Sequence, residues 1–212
     1  FEGFVECATG DKFAPYEVQN STSSGAFDIL SATAFSVNTY FVGLEEKLGL
    51  CDPIDIATAA GVQQGNGQEF EKFPCFTLGC FDVTTLDMSV GMATFAAHGL
   101  NCSPIAISTI TDRFGVELAV PSADCKQTVD LLVADSTTAV LAGVIDGPLD
   151  GRTGRAMDID RPAAGKTGTT DSSAAVWFVG YTPDMAAAVW VGDPRGGQKY
   201  PMKNIRIGGR YY

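Results

Sequence analysis

Four consecutive residues carry the groups that hold an anion against an extended chain: Lys166-Thr167-Gly168-Thr169. A Lys ammonium and Thr hydroxyls donate hydrogen bonds, and a carboxylate accepts them. A glycine weakens a strand unless a ligand or another backbone must come close, so Gly168 indicates a strand edge with open space beside it. The stretch predicts a site for a carboxylate-bearing peptide, with Lys166 as its charge and Thr167, Gly168 and Thr169 as its ligand-binding wall.

A second polar pair lies upstream, where Ser36 and Asn38 flank Val37. A Ser hydroxyl can relay a proton, and an Asn amide can donate to a substrate carbonyl. By themselves, Ser and Asn between two helices are usually caps. Together with the later Lys-Thr-Gly they form a candidate polar cluster, and we take Ser36, Asn38 and Lys166 as the candidate catalytic residues.

Other chemistries find less support in the sequence. Gly165-Lys166-Thr167 is similar to the end of a phosphate-binding loop, but that motif needs Gly at position 160, which is Asp, and a helix after it. His98 precedes Gly99 at a predicted helix end, which favours capping over catalysis. Asp158 and Asp160 have no further ligands nearby and indicate a solvated loop. We therefore predict neither a metal nor a cofactor.

The bulk composition describes a globular, acidic chain. Its 212 residues, 45% of them hydrophobic, are enough for one sizeable core. The net charge of −11 argues against a nucleic-acid partner, because such a partner requires a basic surface. The sequence contains no apolar run of about 18 residues and so predicts no membrane span.

The six cysteines contain no C-x-x-C pair, and the single His cannot complete the usual Cys/His zinc set. An even number among loop-like neighbours favours disulfides and an oxidising compartment, although small buried hydrophobes are the alternative. Six cysteines allow 15 pairings. We favour Cys102 with Cys125 and Cys75 with Cys80.

The periodicity of apolar residues predicts helices first and strands afterwards. Helical spacing covers residues 26–48, with a junction at Ser36-Val37-Asn38, and then 52–62, 84–98 and 126–146. Alternation predicts strands over 105–120, 164–170, 174–181 and 185–192. Because the connections between the last strands are short, those strands must be antiparallel. This order of elements predicts an α+β fold.

Longer stretches around these motifs resemble the transpeptidase domain of penicillin-binding proteins, most closely the bifunctional class A type of actinobacteria. Those enzymes use S-x-x-K, S-x-N and K-T-G in this order. The resemblance covers nearly the whole chain and rests on residues 34–39, 77–79, 82–88, 93–97, 165–170 and 177–183. It implies the fold of penicillin-binding proteins and serine β-lactamases: an antiparallel sheet flanked by helices, with the active site between the sheet edge and a helical lobe.

The resemblance also implies a reaction and roles for the candidate residues. A serine attacks the D-Ala-D-Ala bond of a peptidoglycan stem peptide, and a neighbouring amine then takes the acyl group; β-lactam antibiotics trap that serine. Ser36 would pass protons, Asn38 would hydrogen-bond the donor peptide, and Lys166 would support the proton path. Thr167 and Thr169 would bind the terminal carboxylate, and the Thr169 N–H would form half of the oxyanion hole. The implied location is the extracytoplasmic face of the bacterial membrane.

One departure from the family is large, because none of the seven lysines has a Ser three residues before it. The nearest lookalike, Thr9-Gly10-Asp11-Lys12, lies in a turn-like segment. We therefore expect residues 1–212 to be the C-terminal part of one transpeptidase domain, an incomplete fragment with a helical lobe at about 26–146 and sheet strands at about 164–192. A second chain or segment would carry Ser-x-x-Lys. The alternatives are a non-catalytic module that binds stem peptide or a protein partner and, fitting less well, a lone D,D-carboxypeptidase or β-lactamase.

Overall fold

The computed structural model describes residues 1–21, 24–170, 174–197, 199–202, 206–207 and 209–211. Within them the chain forms five α-helices: α1 Ile29–Phe35, α2 Asn38–Leu48, α3 Cys51–Ala59, α4 Thr85–Ala96 and α5 Leu131–Asp146. Short 3-10 turns lie at Phe76–Leu78 and Arg155–Met157. The strands are β1 Leu100–Asn101, β2 Ile110–Thr111, β3 Glu117–Leu118, β4 Lys126–Gln127, β5 Ala164–Thr169, β6 Ala175–Thr182, β7 Met185–Gly192, β8 Arg206–Ile207 and β9 Arg210–Tyr211.

The central sheet of the described chain contains β5, β6 and β7 in that order, all antiparallel. Lys166 pairs with Val179 and Gly168 with Trp177 across the β5–β6 register. Helix α5 packs against β5, and α4 packs against β6 and β7. Helices against an antiparallel sheet confirm the predicted α+β class, and the three predicted strands agree with the structure to within one residue at each end.

Capping residues set where the helices begin. Asp28 caps α1 and exchanges hydrogen bonds with Ser31, and Thr84 caps α4 by accepting from the Asp87 N–H at 3.0 Å. Asp130 caps α5 by accepting from the Leu132 N–H at 2.8 Å. Helix α5 therefore starts five residues later than the apolar spacing over 126–146 predicts.

The segment between α4 and α5 differs most from the prediction. In place of long strands over 105–120 the structure has only the two-residue β2–β3 ladder, and the preceding β1 pairs with β4. Residues 105–118 carry five exposed large apolar side chains: Ile105, Ile107, Phe114, Val116 and Leu118. Alternation does not lead to extended pairing here, because no core face covers these side chains.

Three disulfides join all six cysteines. The predicted pairs Cys102–Cys125 and Cys75–Cys80 are confirmed, and Cys7–Cys51 is the third. Cys102–Cys125 closes the segment between β1 and β4. Cys7–Cys51 ties the loop-like N-terminal segment to α3, and Phe4 of that segment packs on α2.

Helix α2 contains an unusual buried acid. Glu45 is 2% exposed, and neither of its carboxyl oxygens has a hydrogen-bond partner of ordinary geometry within the described chain. Burial raises the pKa of Glu45 to about 7, and the backbone N–H of Thr77 in the neighbouring 3-10 turn opposes this by less. Because the unpaired charge would be costly in the interior, the neutral acid is favoured below this pH.

Candidate active site

A single hydrogen bond joins the two motifs that the sequence analysis singled out. The Nζ of Lys166 donates to the Oγ of Ser36 at 2.8 Å, across 130 positions of sequence, and also to its neighbour's carbonyl, the Thr167 O, at 2.8 Å. Lys166 is half-buried on β5, and desolvation lowers its pKa to about 8. The site therefore holds a lysine that changes its charge within reach of physiological pH.

The end of α1 aims Ser36 at this lysine. Ser36 has left-handed backbone geometry, with φ 56° and ψ 54°, and its N–H donates to the Thr33 carbonyl at 3.2 Å. The next N–H, that of Val37, donates to the Ala32 carbonyl at 2.9 Å. These two bonds form the helix ending that glycine usually supplies, so a serine here carries backbone strain. Strain of this kind is frequent at functional sites.

Strand β5 lies at one end of the three-stranded order, so its outer edge faces away from β6. The Thr170 N–H donates to the Ala175 carbonyl at 3.0 Å, and in an antiparallel pair the backbone N–H groups of successive residues point alternately toward and away from the partner strand. The backbone N–H groups of Lys166 and Gly168 therefore point toward β6. The backbone N–H groups of Thr167 and Thr169 point outward, where a second extended chain could pair with them.

Asn38 stands at the first turn of α2, and its Nδ2 donates to the Gln19 carbonyl at 2.9 Å. The Oδ1 of Asn20 accepts from the Thr39 N–H at 2.9 Å. Within the described residues no hydrogen bond connects Asn38 to Lys166. The N-terminal segment therefore anchors the start of α2, while the structure brings Ser36 and Lys166, but not Asn38, into direct contact.

A cleft of about 740 Å³ opens beside β5. Lys166, Thr167, Gly168 and Thr169 line one side of it, and the opposite wall is mainly apolar: Ala57, Val62, Phe70, Phe76, Leu78, Phe81, Val83 and Met88. The Cys75–Cys80 disulfide fixes the loop that carries Phe76 and Leu78.

Gly168 keeps the face of β5 open. A Cβ added there would meet only the Cβ of Trp177, at 3.4 Å, and would otherwise project into free space. Trp177 and Trp190 are cross-strand partners on β6 and β7, and both also line the cleft.

Thr153 is a site residue that the sequence analysis missed. Its Oγ1 accepts a hydrogen bond from the Thr167 Oγ1 at 2.8 Å, and its backbone N–H donates to the Ala34 carbonyl at 2.9 Å. Thr153 lies in a Gly- and Arg-rich loop with no periodicity, so no sequence signal identifies it.

His98 follows α4 with φ 55°, and its Nδ1 contacts the Asp135 carboxylate on α5 at 2.5 Å. Its side chain therefore links the end of α4 to α5, and its backbone N–H donates to the Phe95 carbonyl at 3.2 Å, which fits the helix-end position expected for it. Asp158 and Asp160 are exposed, as the prediction of a solvated loop requires.

The fold and the site together define a class of protein. It is an α+β domain in which a strained Ser and a desolvated Lys meet beside an apolar cleft. The family model "Penicillin binding protein transpeptidase domain" matches residues 5–203. The chain belongs to this family, and the resemblance inferred from its motifs is confirmed.

Particular relatives agree with this assignment. "Penicillin-binding protein 1A" of Aquifex aeolicus is 32% identical over 161 residues, a match that covers 76% of this chain and 21% of the relative. The structure of PonA1 from Mycobacterium tuberculosis has a TM-score of 0.70 at 27% identity, covering 92% of this chain and 54% of that one. The same protein in complex with penicillin V gives 0.67 at 26% identity, with the same coverage. The chain thus spans about a fifth of the length of the Aquifex relative and about half of the PonA1 chain. Among the described helices, none has the length and apolarity needed to cross a membrane.

Proposed function

We propose that this chain supplies the S-x-N and K-T-G elements of a D,D-transpeptidase that cross-links peptidoglycan stem peptides through a serine acyl-enzyme. The observation that carries the proposal is the 2.8 Å hydrogen bond to Ser36 from Lys166, which lines the cleft. A lysine with a pKa of about 8 and a hydroxyl in contact with it form a short path for a proton.

In this proposal the S-x-N and K-T-G residues act on different parts of the donor peptide. The attacking serine oxygen bonds to the carbonyl carbon of the penultimate D-Ala, and the terminal D-Ala leaves with a proton delivered through Ser36. Asn38 hydrogen-bonds the peptide. The outward Thr169 N–H donates to the oxyanion, and the hydroxyls of Thr167 and Thr169 hold the terminal carboxylate. The amine of a second stem peptide then displaces the serine and completes the cross-link.

The nucleophile itself, a Ser-x-x-Lys segment, would come from outside residues 1–212 or from a second chain. Two observations support this. None of the seven lysines in the sequence has a Ser at the required position. Within the described residues β7 is an edge strand with no partner on its outer side, and its Met185, Val189 and Val191 side chains are exposed. An apolar strand edge of this length normally pairs or is covered.

The proposed partners follow from the same chemistry. They are the D-Ala-D-Ala stem peptide, β-lactams that imitate it, and the segment that carries Ser-x-x-Lys. Penicillin V bound to the similar PonA1 supports the β-lactam proposal. Because peptidoglycan lies outside the cytoplasm, the proposed location is the extracytoplasmic face of the cell membrane, where disulfides also persist.

Intact-mass measurement before and after incubation with penicillin, followed by peptide mapping, tests the proposal. We expect the adduct on a Ser-x-x-Lys segment outside residues 1–212, while peptides of this 22.3 kDa chain keep their mass. An adduct on a residue of this chain would overturn the placement of the nucleophile. A correctly folded sample containing the Ser-x-x-Lys segment that gains no mass would overturn acyl transfer and leave a non-catalytic module that binds stem peptide or a protein partner.

A further inference from the structure

We propose that Thr153 is a positioning residue that orients the hydroxyl of Thr167 toward the carboxylate of the ligand. The inference rests on the proposed function and adds a residue to it. Thr153 touches neither Lys166 nor Ser36 through any described hydrogen bond, so its role would be to act through Thr167. The geometry that points to this role is the position of Thr153 between the end of α1, which carries Ser36, and strand β5, which carries Lys166 and Thr167.

The loop between α5 and β5 holds Thr153 firmly. Its backbone N–H donates to the carbonyl of Ala34, two residues before Ser36, at 2.9 Å. The preceding Arg152 donates from Nε to the Ile145 carbonyl at 3.0 Å. The following Gly154 is packed so closely that a Cβ there would lie 2.7 Å from the Val144 carbonyl. Thr153 is therefore fixed on both sides to the helices that flank the site.

The side chain of Thr153 reaches the candidate ligand-binding strand. Its Oγ1 lies 2.8 Å from the Oγ1 of Thr167, and both residues are half-buried. A β-branched side chain has few rotamers, so this one contact selects the direction in which the Thr167 hydroxyl points. The backbone bond to Ala34 and the side-chain bond to Thr167 together link the end of α1 with β5.

A threonine hydroxyl has one proton to donate but can accept as well. When no ligand is bound, Thr167 donates to Thr153. When a carboxylate arrives, Thr167 can turn its proton to the ligand if Thr153 donates its own proton to the Thr167 Oγ1. Two hydroxyls in a row polarise each other, which strengthens the bond to the anion. Without the Thr153 hydroxyl, the oxygen of Thr167 loses this support.

Three variants in the complete acylating enzyme separate the hydroxyl from the fold. Thr153→Val has nearly the same shape and keeps the backbone bond to Ala34. Thr153→Ser keeps the hydroxyl, and Thr153→Ala is a second hydroxyl-free variant in case Val does not fold. Thr128→Val, on an exposed loop, is the matched control. Thermal unfolding establishes that each variant is folded.

The second-order rate of acylation is measured with benzylpenicillin and with its methyl ester, which lacks the charged carboxylate. We expect Thr153→Val to slow acylation by benzylpenicillin about tenfold, the scale of one hydrogen bond that supports a charged group. With the ester we expect the acylation rates of wild type and variant to differ by no more than about twofold, since the lost hydrogen bond acts only through a carboxylate. Thr153→Ser should restore most of the rate with benzylpenicillin.

Each outcome decides the matter. An equal loss with both ligands would mean that Thr153 only supports the fold, and an unchanged rate with benzylpenicillin would mean that it does not position Thr167; either result overturns the inference while the proposed function stands. A wild type that neither ligand acylates overturns the proposed function and the inference with it.

Discussion

Replacing Glu45 with Gln should stabilise the protein at neutral and alkaline pH but not at acid pH. Glu45 is a 2% exposed carboxyl with no hydrogen-bond partner of ordinary geometry in the described structure. The Gln side chain has nearly the shape of the protonated acid and never ionises. The substitution therefore removes the cost of the buried charge and little else.

The magnitude follows from the pKa of Glu45, which burial raises from its usual 4.5 to about 7. Below pH 4.5 the folded and unfolded chains are both protonated, and no cost arises. Between pH 4.5 and 7 the unfolded chain loses its proton first, so the free energy of unfolding falls as pH rises. Well above pH 7 the full cost is present, about 3 kcal/mol for a pKa raised from 4.5 to about 7.

The assay is urea unfolding of wild type and Glu45→Gln at pH 4 and pH 8. We expect the variant to be within about 0.5 kcal/mol of wild type at pH 4 and about 3 kcal/mol more stable at pH 8. Glu71→Gln, an exposed acid on a neighbouring loop, is the control and should show no such difference. If Glu45→Gln and wild type differ by the same amount at both pH values, the carboxyl does not carry a buried, unpaired charge and the reasoning fails.

Three further predictions concern the site and the disulfides. Ser36→Gly should keep the free energy of unfolding within about 1 kcal/mol of wild type, because glycine adopts φ 56° without strain, yet slow penicillin acylation by about 100-fold or more; a fast variant would remove Ser36 from the proton path. The acylation rate should fall as pH rises past about 8, where Lys166 loses its proton, and Lys166→Arg, if active, should remove this fall; an identical pH profile would contradict the role of the charge. Replacing Cys102 and Cys125 with Ser should lower the free energy of unfolding by about 3 kcal/mol, and equal stability before and after would show that the closed loop contributes nothing.

Much of the fold could be predicted from local pattern. The strands at Ala164–Thr169 and Met185–Gly192 follow from alternation, and the cap at Thr84 follows from residue type. The start of α5 could not be placed by apolar spacing alone, because the capping bond of Asp130 outweighs the helical pattern before it. Apolar and polar residues alternate over the segment 105–120, yet it forms only short strands, since such alternation stabilises a strand only where one face is covered.

The sequence by itself determined the family and the candidate residues, because these depend on residue types at fixed spacings along a strand or around a turn. Tertiary structure alone decided that Lys166 meets Ser36 across 130 positions, that Thr153 contacts Thr167, and that Glu45 is buried. The shifted pKa values of Lys166 and Glu45 also depend on the tertiary structure. The physical reason is that burial and contact depend on which distant segments pack together, whereas periodicity and motifs report only on neighbours in the chain.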